Sequence, residues 1–174
     1  MSAFMHGLAK TLAVLGGIVL VAVTAMTVAS ITGRALIFMG LGPVPGDFEL
    51  VQVGVGFAVF AFLPWCQLNR GHATVDILAP LMSGRVNRLI DLIAELLMTI
   101  VLALIAWQLY YGMMDKLAYT ETSFILQFPI WWAYAACLVA SVGAVIVSVY
   151  MVFLRAAELS SGVLHTASGQ GASH

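Results

Sequence analysis

Ionisable side chains are nearly missing from this chain. Its 174 residues hold seven Lys and Arg and eight Asp and Glu, whereas about a quarter of the residues in soluble domains are charged. With 62% hydrophobic residues and a mean hydropathy of +1.04, a soluble fold is excluded and an all-α integral membrane protein is expected. Cysteine is nearly absent too. Cys66 lies near the end of one apolar run and Cys137 inside another, so both read as small packing residues rather than as a disulfide or a metal pair. No His falls inside an apolar run, with His6 and His72 both peripheral, which removes the axial ligands a membrane cytochrome needs. No nucleotide loop, catalytic triad or metal-ligand cluster occurs. Neither an enzyme nor a nucleic-acid binder is expected.

What remains is four long apolar runs. No charge interrupts Thr11 to Gly33, Leu50 to Asn69, Leu96 to Met114 or Pro129 to Leu154, and each run approaches or exceeds the ~20 residues that a helix needs to cross ~30 Å of hydrocarbon. The expected spans are about 9–32, 48–68, 88–111 and 129–154, forming one membrane domain over 1–155. The first run is too long for a signal-peptide core of about 7 to 15 residues, so it reads as a retained helix. Trp107, Tyr110 and Tyr111 should close the third helix, and Phe128, Trp131, Trp132 and Tyr134 should open the fourth, with Pro129 in its first turn. Pro64 predicts a local kink in helix two. The Ser, Gly and Ala-rich stretch 156–174 reads as a disordered tail.

Orientation follows from the basic residues. Lys10, Arg70, Arg85, Arg88 and Arg155 share one side, five of the seven in the chain, which the positive-inside rule makes cytoplasmic. The expected topology therefore has both termini inside. The second connection holds more than a turn. Val75, Leu78, Leu81, Met82 and Val86 recur every three or four residues, predicting a short amphipathic interfacial helix over about 74–83.

The span centres hold no charge, whereas a self-sufficient transporter normally keeps ionisable groups or broken helices at mid-depth. Asp91 and Glu95 come nearest, sharing a face at i and i+4 with Arg88 before them. They read as an acidic strip paired to an arginine of a neighbour, ahead of the competing reading as an ion or proton site. Small residues form two ridges at i+4 spacing. One includes Ala9, Ala13, Gly17, Ala25, Ala29 and Gly33; the other is Ala136, Ala140, Ala144 and Ser148. Such ridges let backbones approach closely in lipid, and they suit either contact among these four helices or docking to a larger partner.

The cluster Asn69-Arg70-Gly71-His72-Ala73-Thr74-Val75-Asp76, set after the second of four spans, resembles the small membrane subunit of tripartite ATP-independent periplasmic (TRAP) transporters, the DctQ type. The similarity covers about residues 8–155. It includes Arg34 before the first connection, Glu49 entering helix two, the pair Arg85 and Arg88, Asp91, and Pro129-Ile130-Trp131 opening helix four. Position 73 is Ala where the family often has a bulkier aliphatic residue, and its acidic pair is spread over Asp47 and Glu49.

The resemblance implies a bacterial inner-membrane uptake system driven by sodium. A periplasmic binding protein would deliver an organic anion to a large multi-span subunit, and the small subunit would serve as scaffold. Sodium would sit in the large subunit, leaving this chain without a cofactor. Partner and lipid contacts would fall on Arg34, Asp47, Glu49, Arg70, Gly71, His72, Asp76, Arg85, Arg88, Asp91 and Glu95. Two other classes compete: a membrane anchor of a redox enzyme and a small homo-oligomeric exporter.

The orientation is testable by thiol labelling in a chain whose Cys66 and Cys137 are replaced by Ser. A membrane-impermeant maleimide should label Thr122→Cys in intact cells and leave Ser168→Cys unlabelled until the membrane is opened. The reverse pattern would overturn the topology.

Overall fold

A computed structural model of the chain describes residues 2–69 and 84–161. Helix α1 runs Ser2–Ala35, a 3-10 turn follows at Ile37–Met39, and α2 spans Asp47–Leu68, α3 Gly84–Ala118 and α4 Trp131–Ser161. All four α-helices are long and apolar enough to cross a membrane, the 22-residue α2 being about 33 Å long at helical rise. Among the described residues there is no strand, only an isolated antiparallel bridge between Thr122 and Pro129.

Several boundaries differ from the sequence expectation. Helix α3 does not stop at its aromatic group but continues to Ala118 with Lys116 in its last turn. Trp107 and Tyr111, 5.5 Å apart between ring centroids, therefore lie inside the helix. Nothing in Met113 to Ala118 breaks a helix, and the chain turns only at Thr120, with φ 48°. Pro129 precedes α4 instead of occupying its first turn: it is held in the bridge to Thr122, and its carbonyl accepts the Trp132 N–H. Residues 156–161, expected in the tail, extend α4, as the strong helix formers Ala156, Ala157, Glu158 and Leu159 favour. Helix α2 continues through Pro64, which is buried. The rest of the tail and the expected interfacial helix lie outside the described residues.

Helix α4 is the hub. It packs on α3, α2 and, less extensively, α1, while α1 lies along α2. Of the most apolar stretch of each span, 39% is buried in α4 against 6% in α3 and 11% in α1. The two flanking helices thus present most of their apolar surface outward. The hub works through small side chains: Ala140, Ala144 and Ser148 are fully buried and Ala136 is half-buried. At the end that carries both termini, Val147 and Met151 join Ala9 and Leu68 in a core cluster.

Helix α1 meets its neighbours on a different seam from the i+4 ridge. Ala9, Gly16 and Ser30 are buried and Val23 is half-buried, a seven-residue spacing, whereas Ala13 is half-buried and Ala25 and Ala29 are exposed. Four residues turn the helix by about 400°, so an i+4 row winds off a straight neighbour by about 40° per step; a heptad row drifts by about 20°. At Gly16 α2 comes close: an added Cβ would sit 3.0 Å from that of Ala61, while at Gly17 it would meet nothing within 4 Å. The ridge's last member, Gly33, is pressed against the backbone of the first connection, where an added Cβ would overlap the Gly42 carbonyl oxygen.

Two alanine substitutions separate these environments. Gly33→Ala should destabilise the fold by about 1–3 kcal/mol, the usual cost of overpacking, and lower the midpoint of thermal unfolding in mild detergent. Gly17→Ala, whose added methyl meets nothing, should hold that midpoint or raise it, since alanine favours a helix interior over glycine. Equal midpoints for the two variants would refute the close approach of the first connection to Gly33.

Candidate functional site

The polar side chains gather at the two ends of the bundle. At the terminal end, Gln67 in the last turn of α2 is only 2% exposed. Its Nε2 donates to Glu95 Oε1 of α3 at 2.9 Å and to Ser148 Oγ of α4 at 2.7 Å. The Thr99 and Ser148 hydroxyls bond to each other, and Thr99 Oγ1 donates to the Glu95 carbonyl at 2.8 Å. Each hydroxyl has one proton. Because that of Thr99 goes to the carbonyl, Ser148 donates to Thr99 and accepts from Gln67. The result is a closed ring of hydrogen bonds through three helices.

One turn nearer the terminal end, Arg155 Nη1 of α4 pairs with Asp91 Oδ2 of α3 at 3.1 Å; the Arg155 side chain is 10% exposed. The two acids of α3 therefore reach different neighbours, Asp91 to α4 and Glu95 to α2. Asp91 thus has an arginine partner, while the Glu95 side chain accepts from an amide. Gln67 and Arg155, however, are not among the contact residues drawn from the sequence. Arg155 stands out there only as an orientation signal, and a lone amide at a span end carries no recognisable pattern.

At the opposite end, which holds the first and third connections, Asp47 opens α2. Its Oδ1 accepts the Phe48 N–H at 2.8 Å, and its Oδ2 accepts the Ser30 hydroxyl of α1. Ser30 Oγ in turn accepts the Val44 N–H at 3.2 Å. Arg34 approaches Asp47 at 3.8 Å, but its side chain is 65% exposed, and pairs of that kind contribute little. The buried Ser30 is the firmer tie between α1, the first connection and α2.

Glu49 does something different. Its two carboxylate oxygens accept the backbone N–H groups of Ile125 at 2.9 Å and Leu126 at 3.1 Å. This fork clamps the third connection onto α2. The connection is also folded on itself, with Ser123 N–H bonded to Phe128 O at 3.0 Å, Ile130 N–H to Glu121 O at 3.0 Å, and Lys116 to Glu121 at 2.7 Å. Its tip leaves Phe124 96% exposed.

The structure thus joins Arg34 to Asp47, gives Glu49 a separate backbone partner, and places Asp91 and Glu95 at the other end of the bundle. Arg85 and Arg88 lie in the first turns of α3, with side chains outside the described set. Arg70, Gly71, His72 and Asp76 fall outside the described residues altogether. Among the described residues no group of His, Cys, Asp and Glu is arranged to hold a metal ion. What the two clusters do chemically is tie helices together with hydrogen bonds and ion pairs.

Comparison with known families gives a match. The model described as "Tripartite ATP-independent periplasmic transporters, DctQ component" aligns with residues 23–158. No curated protein and no solved structure matches the chain. The matched region takes in the last third or so of α1, all of α2 and α3 and most of α4, with both polar clusters. The chain therefore belongs to the DctQ family, the small membrane component of the TRAP transporters.

Proposed function

We propose that this chain is the non-catalytic scaffold of a sodium-driven uptake system for an organic anion in a bacterial inner membrane. Its partners are a large multi-span membrane subunit, which binds the sodium and moves the solute, and a periplasmic binding protein. The observation that carries the reading is the division of the four helices. Their polar groups brace this chain's own ends, while α1 and α3 turn most of their apolar surface outward. A helix that spends its polar side chains on bracing and its apolar face on the surroundings suits a structural subunit better than a solute path. Membership of the DctQ family supports the same reading.

With both termini inside, the ring at Gln67 faces the cytoplasm and the Glu49 clamp faces the periplasm. The clamped third connection is then presented toward the binding protein.

Affinity purification in mild detergent with mass spectrometry tests the assembly: a stoichiometric large membrane protein should accompany the chain. A reproducibly solitary chain would count for the exporter reading, and haem absorption in the preparation for the redox anchor. The bracing role predicts two further results. Ser148→Ala opens the hydrogen-bond ring and should lower the stability of the bundle by roughly 0.6–1.7 kcal/mol, the range for interhelical hydrogen bonds in membranes. Glu49→Gln halves the clamp's acceptor set and should speed amide exchange at Ile125 and Leu126 and lower uptake, with insertion and complex yield retained. Unchanged exchange at both amides would show that the clamp does not hold the connection.

A further inference from the structure

Helix α3 is exposed along most of its length, and one polar group selects a face of it. Leu97, Val101, Leu104, Gln108 and Tyr111 are all exposed, and their alternating spacings of four and three hold them within about 40° of one line down the helix. Beside that line, Val101, Leu104, Ile105, Gln108 and Leu109 join Tyr134 of α4 around a groove of about 440 Å³. Apart from Gln108 and Tyr134 its walls are hydrocarbon.

Gln108 stands within the span. Gln67 of α2 and Glu95 of α3 share a level through their hydrogen bond. Counted from that level at the helical rise, Glu49 is eighteen residues or about 27 Å along α2, and Gln108 is thirteen residues or about 20 Å along α3. The amide is therefore about 7 Å deeper than the Glu49 backbone. Its side chain leans deeper still, because Cα–Cβ bonds tilt toward a helix's N-terminus, and that of α3 is at the terminal end of the bundle. Gln52 of α2, also exposed, stands one turn from Glu49 and leans the opposite way, toward the headgroups.

An amide carries two donors and an acceptor, and that of Gln108 has no hydrogen-bond partner among the described residues. The exposed Thr24 and Thr32 solve the same problem by donating to the carbonyl four residues back. Gln108 does not, and an unmet polar group in hydrocarbon is costly. Whatever meets it must reach this depth, which headgroups do not, and must hydrogen-bond, which acyl chains do not. A side chain on another membrane-spanning helix does both. A second copy of this chain would set groove against groove and fill neither, so that helix belongs to a different protein.

We propose that the line from Leu97 to Tyr111 is where one transmembrane helix of the large membrane subunit docks, its apolar ridge in the groove and an amide or hydroxyl side chain on the Gln108 amide. A single polar residue in such a seam fixes register, so Gln108 sets the height at which the two proteins meet. The inference rests on the scaffold reading and adds to it the face and its anchor.

The test uses the full chain purified in mild detergent together with the large subunit. A benzophenone side chain at position 104 should crosslink to that subunit, and mass mapping should place the adduct in a membrane-spanning segment with an amide or hydroxyl residue within a turn of it. Gln108→Leu should weaken the complex by about three- to eighteen-fold, the affinity equivalent of one interhelical hydrogen bond in a membrane. The thermal midpoint of the chain itself should be no lower, since no contact within the bundle is removed. Unchanged affinity in Gln108→Leu, a lowered midpoint, or adducts from position 104 only to lipid or to a second copy of the chain would overturn this face and leave the scaffold reading standing. A chain that purifies alone would overturn both.

Discussion

Inside hydrocarbon the hydrophobic effect no longer drives helix against helix, and everything in this molecule follows from that constraint. Lipid tails solvate a leucine as well as another helix does, so cohesion must come from close backbone approach and from hydrogen bonds. The chain uses each where it is strongest. Through the middle of the bundle α4 offers Ala140 and Ala144, both fully buried, and α1 meets α2 at Gly16 and Ala61. At the ends, where polar groups are tolerated, the Gln67 ring and the Glu49 fork join elements far apart in sequence. The scarcity of charge that marks the sequence is thus matched by the use of a few polar residues, among them Ser30, Asp47, Glu49, Gln67, Asp91, Glu95, Ser148 and Arg155, to tie two elements together.

The spans themselves are legible in the sequence, because crossing the membrane demands a run of apolar residues that nothing else in a chain of this size produces. The α4 ridge is legible for a related reason. Ala136, Ala140, Ala144 and Ser148 are short enough that i+4 drift does not carry them out of a hub touched on three sides. The α1 ridge misleads because small residues stand on two adjacent faces. Gly16 and Gly17 differ by one position, and only the placement of α2 decides which of them is needed. Composition cannot show that choice.

Polar partners show the same limit. The sequence marks Asp91 and Glu95 as unusual because acids inside a long apolar run are unusual. It does not mark Gln67, whose amide becomes significant only when α3 and α4 bring Glu95 and Ser148 to it. Glu49 is legible as an acid entering α2 but not as an acceptor for backbone N–H groups more than seventy positions away. Residues 119–130 spell no familiar turn, and their folding depends on Gln127 at φ 54° and on that distant carboxylate. Family membership was legible from the order of spans and from a motif whose own residues the structure does not describe.

Because α3 rests chiefly on α4, the order in which the helices leave the ribosome matters. Helices α1 and α2 can pair as soon as both are in the membrane, since their contact is with each other. Helix α3 arrives with an acid part-way down its length that meets the Gln67 amide of α2; the Ser148 and Arg155 that join its surroundings are made later, on α4. The second hairpin must therefore be completed as a pair. An arrest of synthesis between Ala118 and Trp131 would leave a helix with most of its surface in lipid and no seat in the bundle, the state a quality-control protease would meet in a truncated product.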